Sequence, residues 1–407
     1  MKSLQPTTEK SLVILTAALF CFFSVSCRST KRSAQAAQQE KQVSGTMDNS
    51  VLTPTLSMAE QTVGLWQLLD DGQRNVWFSP LSLSLAMRTV ADGAKGETRE
   101  QLRRVITDCQ ITESDQMKIA DALFVEPSLP LEADYVKRCK TRGAELYRQP
   151  LTAKNINQWA SDHTNGKISH IFDDPMPSQL KMVIANAVWF YADWDEPFNE
   201  RATREDVFYL SSRTGENEPQ TQVQMMRKSD YFSYSETNEA QVIKLPYKQE
   251  SDSCAFSMTV VLPREGLSAS DLLKSLTAER FSQWLTSGGY ERVILRLPKV
   301  RLAYSRTLTD DLKAIGVTRA FQPDADFSGM SSVPLCIDMV KQCTYLDMNE
   351  QGTEAAAVTA VAMKLGSAPH QEKPKEMTVN RPYLLILYDR ISKTPVFAGI
   401  VHTPNTK

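Results

Sequence analysis

Histidine is scarce in this chain: 407 residues contain only His163, His170, His370 and His402. No HExxH or CxxC spacing occurs, so zinc-holding residue types are not gathered at any metal-site spacing. No GxSxG segment is present, which removes the nucleophile elbow of a secreted hydrolase. Basic runs long enough to track a phosphate backbone are missing and the net charge is -2, which argues against a nucleic-acid partner. The seven cysteines are Cys21, Cys27, Cys109, Cys139, Cys254, Cys336 and Cys343. With the first two assigned to the N-terminal run, an odd number is left, a poor basis for a disulfide framework. Cys336 and Cys343, the close pair, would stand about 23 Å apart in a strand or about 10 Å apart in a helix, and a disulfide spans neither.

What is present is ordinary for a globular protein, with 42% hydrophobic and 23% charged residues, enough for a large core. The length fits one large domain with appendages or two smaller domains. The first 27 residues differ from the rest. Lys2 and Lys10 precede SLVILTAALFCFFSVSC, an apolar run of export-signal length, marginal for a bilayer span, followed by RSTKR. Its end, Ser24-Val25-Ser26-Cys27, is similar to a bacterial lipobox, which makes Cys27 a candidate lipidation site. The usual leucine three residues earlier is Ser24 here, so export without lipidation stays open. Residues 28–50 are polar and read as a flexible tether. Residues 51–407 read as one folded domain, with no later linker and no internal repeat.

In that domain, TLSMAEQTVGLWQLLDD carries Met58, Val63, Leu65, Trp66 and Leu69 at helical spacing. Ser79-Pro80 supplies a cap and a first-turn proline for LSLSLAMRTVA, Gly93 stops that helix, and Thr98 is expected to cap the next. NINQWASDHTNGKISHIF, SDLLKSLTAERFSQWLTSG and LTDDLKAIGV have helical patterns. Strand-like runs are KMVIANAVWFY, AQVIKLPYK, FSMTVVLPRE, RVILRLPKVRL, CTYLDMNE and YLLILYDRISKTPVFAGIVHTP. Helices dominate the first part and strands the second, which predicts an α+β fold with large, mostly antiparallel sheets.

Between CTYLDMNE and YLLILYDRI lies a connection of about thirty residues, far longer than a compact domain usually keeps without a functional reason. Its second half, GSAPHQEKPKEM, is polar and carries two prolines, and it reads as exposed. Its first half behaves differently. Thr353, Ala355, Ala357, Thr359, Val361 and Met363 are uncharged, whereas Glu354 and Lys364 fall at even positions, the period-two pattern of a strand with one buried face. A solvated helix is the competing reading, opposed by the β-branched residues and by Gly352. An exposed segment with a buried strand's pattern suggests a fold held above its lowest state. Inserting it as a central strand, at about 1 kcal/mol net for each of about ten hydrogen bonds, would release on the order of 10 kcal/mol.

The segment Glu350-Gln351-Gly352-Thr353-Glu354-Ala355-Ala356-Ala357-Val358-Thr359 closely resembles the hinge of inhibitory serpins. NVWFSPLSLSLAM, IANAVWFYADWDEPF, VIKLPYK, LRLPKVRL, AIGVTRAF, ADFSGM and RPYLLILYDRISKTPVFAGIVHTP follow in the order of that family's motifs, over about residues 51–403. The resemblance implies the serpin fold, helices packed on three mostly antiparallel sheets, with an exposed reactive-centre loop over about 350–379. It implies that Ser79, Ser82 and Asn186 lie in the shutter beneath the parting sheet, with Gln342 in place of the usual histidine. It sets Trp194 at the breach, where the loop first inserts. It also implies a monomer that uses no cofactor, carries no catalytic group and forms a covalent complex with a target protease. Any contact with a membrane would come through the N-terminal lipid alone.

On this reading a serine protease, and by the same chemistry a cysteine protease, attacks the loop and is trapped as an acyl-enzyme when the cut loop inserts. The family's spacing from Glu350 puts the reactive bond at Gly366-Ser367, with Lys364 and Leu365 as alternates. Three rivals stay in view: a non-inhibitory binding protein of the same fold on the cell surface, a hydrolase, and a surface adhesion lipoprotein. The clusters Arg99, Arg103, Arg104 and Lys137, Arg138, Lys140, Arg142 resemble polyanion-binding faces of some relatives, against a plainer reading as solvated helix surface.

Overall fold

The computed structural model describes residues 56–107, 114–353 and 373–404. Cys27, the segments read as signal and tether, and the loop residues Glu354, Ala355, Ala356, Ala357, Val358, Thr359, Lys364, Leu365, Gly366 and Ser367 lie outside the described residues.

The first half of the chain supplies helix α1 (Met58–Leu69), β1 (Val76–Phe78), α2 (Pro80–Ala91), α3 (Gly96–Arg103), β2 (Met117–Val125), α4 (Ala133–Thr141), β3 (Glu145–Arg148), α5 (Ala153–His163), β4 (Met182–Phe190) and β5 (Ala192–Asp193). Then come β6 (Arg204–Tyr209), β7 (Gln220–Glu236), β8 (Ala240–Pro246), β9 (Phe256–Pro263), α6 (Ala269–Lys274), α7 (Ala278–Thr286), β10 (Gly289–Pro298), β11 (Val300–Thr307) and α8 (Thr309–Ala314). The chain closes with β12 (Met339–Met348), β13 (Gly352–Thr353), β14 (Lys375–Thr378), β15 (Tyr383–Asp389) and β16 (Thr394–Val401). This is an α+β fold.

Local chemistry explains most boundaries. Ser57 and Glu60 form a reciprocal capping box on α1, and Val63, Trp66 and Leu69 face the core. Ser79 caps α2 by accepting from the Ser82 amide, with Pro80 in the first turn. Thr98, expected as the cap of α3, is instead inside that helix. Lys95 holds the cap position without a side-chain bond, and the Thr98 hydroxyl accepts from the Asp326 amide, a tertiary partner that outcompetes the local one. The run RVILRLPKVRL, read as one strand, divides after Pro298 into β10 and β11, which belong to different sheets. The helical pattern beginning at Asn155 ends at His163, because Asn165 and Gly166 turn into the left-handed region, at φ 50° and 76°. SDLLKSLTAERFSQWLTSG breaks into α6 and α7, with the Thr277 side chain capping the second.

Two hydrogen-bonded sheets organise the described residues. The larger runs β1-β16-β15-β9-β8-β7-β10-β14, with β6 on β7; the smaller runs β3-β2-β4-β12-β13-β5, with β11 on β12. Three sheets were expected. The 17-residue β7 accounts for the difference, since it carries β6 at its first residues and β8 at its last and so joins two layers into one network. Pairing is antiparallel except for β10–β14, β12–β4 and β2–β3. Helix α2 enters the core between the sheets, with Leu81 in one apolar cluster and Leu83, Ala86, Met87 and Val90 in another. Its capped N-terminus is thereby set under the β4–β12 seam.

Candidate functional site

Down that seam, Val183–Val188 of β4 pairs directly with Met339–Thr344 of β12 in parallel. Above Thr344 the two strands part. The wedge is filled by the hinge: Thr353 pairs with Met348 on one side and Ala192 on the other, and Gly352 with Asp193. Gly352 and Thr353 are therefore already seated between strands while the sheet below them is closed.

Glycine is required at 352. A Cβ there would lie 2.1 Å from the Ala192 carbonyl oxygen and 2.6 Å from the Asp193 Cα, both backbone atoms that cannot swing aside. Thr353 is fully buried, and its hydroxyl meets the Tyr247 hydroxyl at 2.6 Å. The Trp194 ring stacks on Tyr247, centroids 4.3 Å apart, and its Nε1 donates to the Asn349 carbonyl at 2.9 Å. Backbone amides of Trp194 and Phe198 donate to the carbonyls of Gln351 and Glu350, each at 2.8 Å. Three consecutive carbonyls ahead of the loop are thus clamped by one short segment. Glu350, largely buried, is held at 2.9 Å by Lys299 and at 2.8 Å by the Thr203 hydroxyl. Burial raises the Glu350 pKa, but the bonds from Lys299 and Thr203 outweigh it and leave the carboxyl below its usual value.

Lower down, Ser79, Ser82, Asn186 and Gln342 meet, all fully or almost fully buried. Gln342 accepts from the Ser79 amide at 2.9 Å and donates from Nε2 to the Ser79 carbonyl and to Asn186 Oδ1, each at 3.0 Å. The Ser79 hydroxyl donates to the Val396 carbonyl at 2.7 Å. Asn186 Nδ2 donates to Ser82 Oγ and to Asp121 Oδ1. Beside the parallel backbone pairing, the Gln342–Asn186 bond is a side-chain link across the seam at this level.

Sequence reasoning missed Tyr247, Thr203, Lys299 and Asp121. Tyr247 and Lys299 sit inside quoted motifs, VIKLPYK and LPKVRL, and a lone tyrosine or lysine ending an apolar strand was the available signal. Asp121 interrupts the apolar run of β2, which should have flagged it. In the second basic cluster Arg142 pairs with Asp92 and Arg138 donates to the carbonyls of Asp92 and Gly329. Cys336 and Cys343 are both free thiols.

A family model described as serpin, serine protease inhibitor, matches residues 62–404. The chain belongs to the serpin family. An uncharacterised serpin-like protein of Thermococcus kodakarensis is 30% identical over 84% of both chains, and serpin B8 of Homo sapiens is 31% identical over 84% of this chain and 97% of its own. Among solved structures, the thermophilic serpin tengpin in its native state superposes with TM-score 0.75 at 26% identity, covering 88% of this chain and 95% of tengpin. Human thyroxine-binding globulin complexed with thyroxine shares the fold, at TM-score 0.74 and 22% identity over 86% and 98% of the two chains. Serpins are in general protease inhibitors that form complexes with their targets. The observed helices and sheets are this serpin's version of that fold.

Proposed function

We propose that this serpin inhibits serine endopeptidases, and by the same chemistry cysteine endopeptidases, as a suicide substrate. The observation that carries the reading is the seated hinge above a closed parallel seam. A protease nucleophile attacks the carbonyl carbon of Gly366, the bond to the Ser367 nitrogen breaks, that amine leaves with a proton from the protease's own acid, and an ester or thioester joins loop to enzyme. Lys364 and Leu365 are the alternative sites of attack. Freed at that bond, the loop inserts below Thr353, exchanging one parallel ladder for two antiparallel ones. The protease is carried along before water can deacylate it.

Register supports a designed path. Six residues below the Met348–Thr353 pair, Thr359 comes opposite Gln342; six below Ala192–Thr353, the same Thr359 comes opposite Asn186. A threonine hydroxyl both donates and accepts, so it can replace the Gln342–Asn186 bond that insertion breaks, where an apolar residue would leave buried groups unpaired at about 1–3 kcal/mol each.

Incubation with a panel of serine and cysteine proteases, followed by denaturing electrophoresis and mass spectrometry of the released peptide, tests this. The expected result is a denaturant-resistant adduct and a C-terminal fragment that begins at Ser367. Cleavage without any adduct would favour a non-inhibitory binding protein of this fold, the alternative to which the thyroxine complex of a structural neighbour lends support. The same reading takes residues 1–27 as an export signal, residues 28–50 as a tether and 51–407 as one domain. It sends the protein to the cell envelope or outside, anchored through Cys27 where that residue is lipidated; metabolic labelling with a fatty acid, lost in Cys27→Ser, tests the anchor.

A further inference from the structure

We propose that Asp121 is a positioning residue of the shutter, a carboxylate that fixes which way the Asn186 amide faces and so keeps the β4–β12 seam closed until acidification releases it. The inference rests on the insertion reading above. Asp121, Asn186 and Gln342 are direct register partners across β2, β4 and β12, one row over three adjacent strands. The Gln342 amide cannot turn, because Ser79 engages both of its ends. It therefore presents an N–H to the seam and needs an acceptor from Asn186, which is Oδ1. The other end of the Asn186 amide meets Ser82 and Asp121. A serine hydroxyl accepts or donates and has no preference between the two amide orientations. An ionised carboxylate only accepts, so it demands the Nδ2 end and sends Oδ1 to Gln342. Once protonated, Asp121 can donate instead. The neutral carboxyl keeps one acceptor oxygen but no longer demands the Nδ2 end, so the orientation that serves Gln342 is held less firmly and the side-chain link across the seam weakens.

Asp121 is half-buried and lines an open groove, and desolvation of its carboxyl beside Asn186 pushes the pKa up to about 7, against the downward pull of the Asn186 N–H. On this face of the sheet α2 contributes Arg88 and its C-terminal cap Asp92, and α4 contributes Asp134, Lys137, Arg138 and its C-terminal cap Arg142, to a groove that Asp121 also lines together with Asp115, Lys118 and Glu250. Arg88 donates to the Thr107 carbonyl, Arg142 is spent on Asp92, and Lys118 pairs with Asp115. From the opposite face α5 brings His163, bonded to Glu145 at 3.1 Å. The sign differs between two processes. A carboxyl with a raised folded-state pKa binds a proton in the fold before the unfolded chain does, so resistance to global unfolding rises as pH falls from about 7 towards the ordinary carboxylate value. Sheet opening should move the other way and become easier.

The test is uptake of a synthetic peptide of residues 353–363 into the intact protein, followed by native gel shift at pH 8 and pH 6, with urea unfolding in parallel. Wild type should take up the peptide roughly fivefold faster at pH 6, as expected for a group titrating between the two values. Asp121→Asn should be fast and pH-independent, and Asp121→Glu should restore the dependence. Acid acceleration that survives in Asp121→Asn overturns the proposal, as does a wild-type rate that stays flat or falls in acid, whatever the variants' ability to fold. No uptake at any pH, together with no stabilisation on loop cleavage, would sink the insertion reading itself and this inference with it.

Discussion

Glu350 and Lys299 show how much of this site turns on single contacts at the edge of the wedge. The depressed pKa of Glu350 means that its ionised form stabilises the fold above the ordinary carboxylate value of 4.5 and that this contribution fades as pH falls through the lower folded-state value. Lys299→Met should therefore cost roughly 1 kcal/mol at neutral pH, a modest figure because the lysine is partly exposed, and in urea titrations the difference from wild type should shrink as pH falls below the ordinary carboxylate value. Gly352→Ala is expected to be worse. The added methyl meets backbone, so the hinge must leave the wedge; a loss of about 1–3 kcal/mol follows, read by denaturant unfolding, with a larger cleaved-to-adduct ratio on protease challenge. The requirement for glycine here comes from close approach of a neighbouring strand, not from an unusual dihedral.

At the scale of elements, the short segment after β5 acts as a clamp on the chain ahead of the loop. Trp194→Ala removes a stacked ring and a hydrogen bond to the Asn349 carbonyl, and should destabilise by about 3–5 kcal/mol in denaturant titrations, with faster spontaneous loop insertion as a second readout. The Ser79-Pro80 cap and the short apolar runs of β4 and β12 were legible from residue order, because caps and apolar runs are local properties. The division of RVILRLPKVRL between two sheets was not, since both halves have the same pattern and only their partners differ. Thr98 misled for a related reason: its side chain satisfies a backbone amide 228 residues away. Asp121 escaped notice because its meaning lies in the register that brings it opposite Asn186.

The whole molecule is proposed to store free energy in the pairing it has not yet made. If about ten hydrogen bonds at about 1 kcal/mol each are gained on insertion, nicking the loop should raise the midpoint of thermal unfolding by roughly 10–20 °C, measurable by differential scanning fluorimetry before and after limited proteolysis. Thr353→Arg should block that rise. A charged side chain cannot take the buried place beside Tyr247, so the variant should be cut as a plain substrate, with the adduct reduced at least about tenfold on gels.

Residue order alone determined the family and the α+β class, because the motifs and element patterns that carry them are written in spacings of a few residues. Tertiary structure decided that the seam is closed by direct β4–β12 pairing, that Gly352 and Thr353 already occupy the wedge, and that Asp121, Asn186, Gln342 and Ser79 form one hydrogen-bonded row. Those facts depend on which strands lie side by side and in what register. Hydrogen bonds between residues as far apart as 65, 156 and 263 positions help fix them, and no local pattern encodes such a choice.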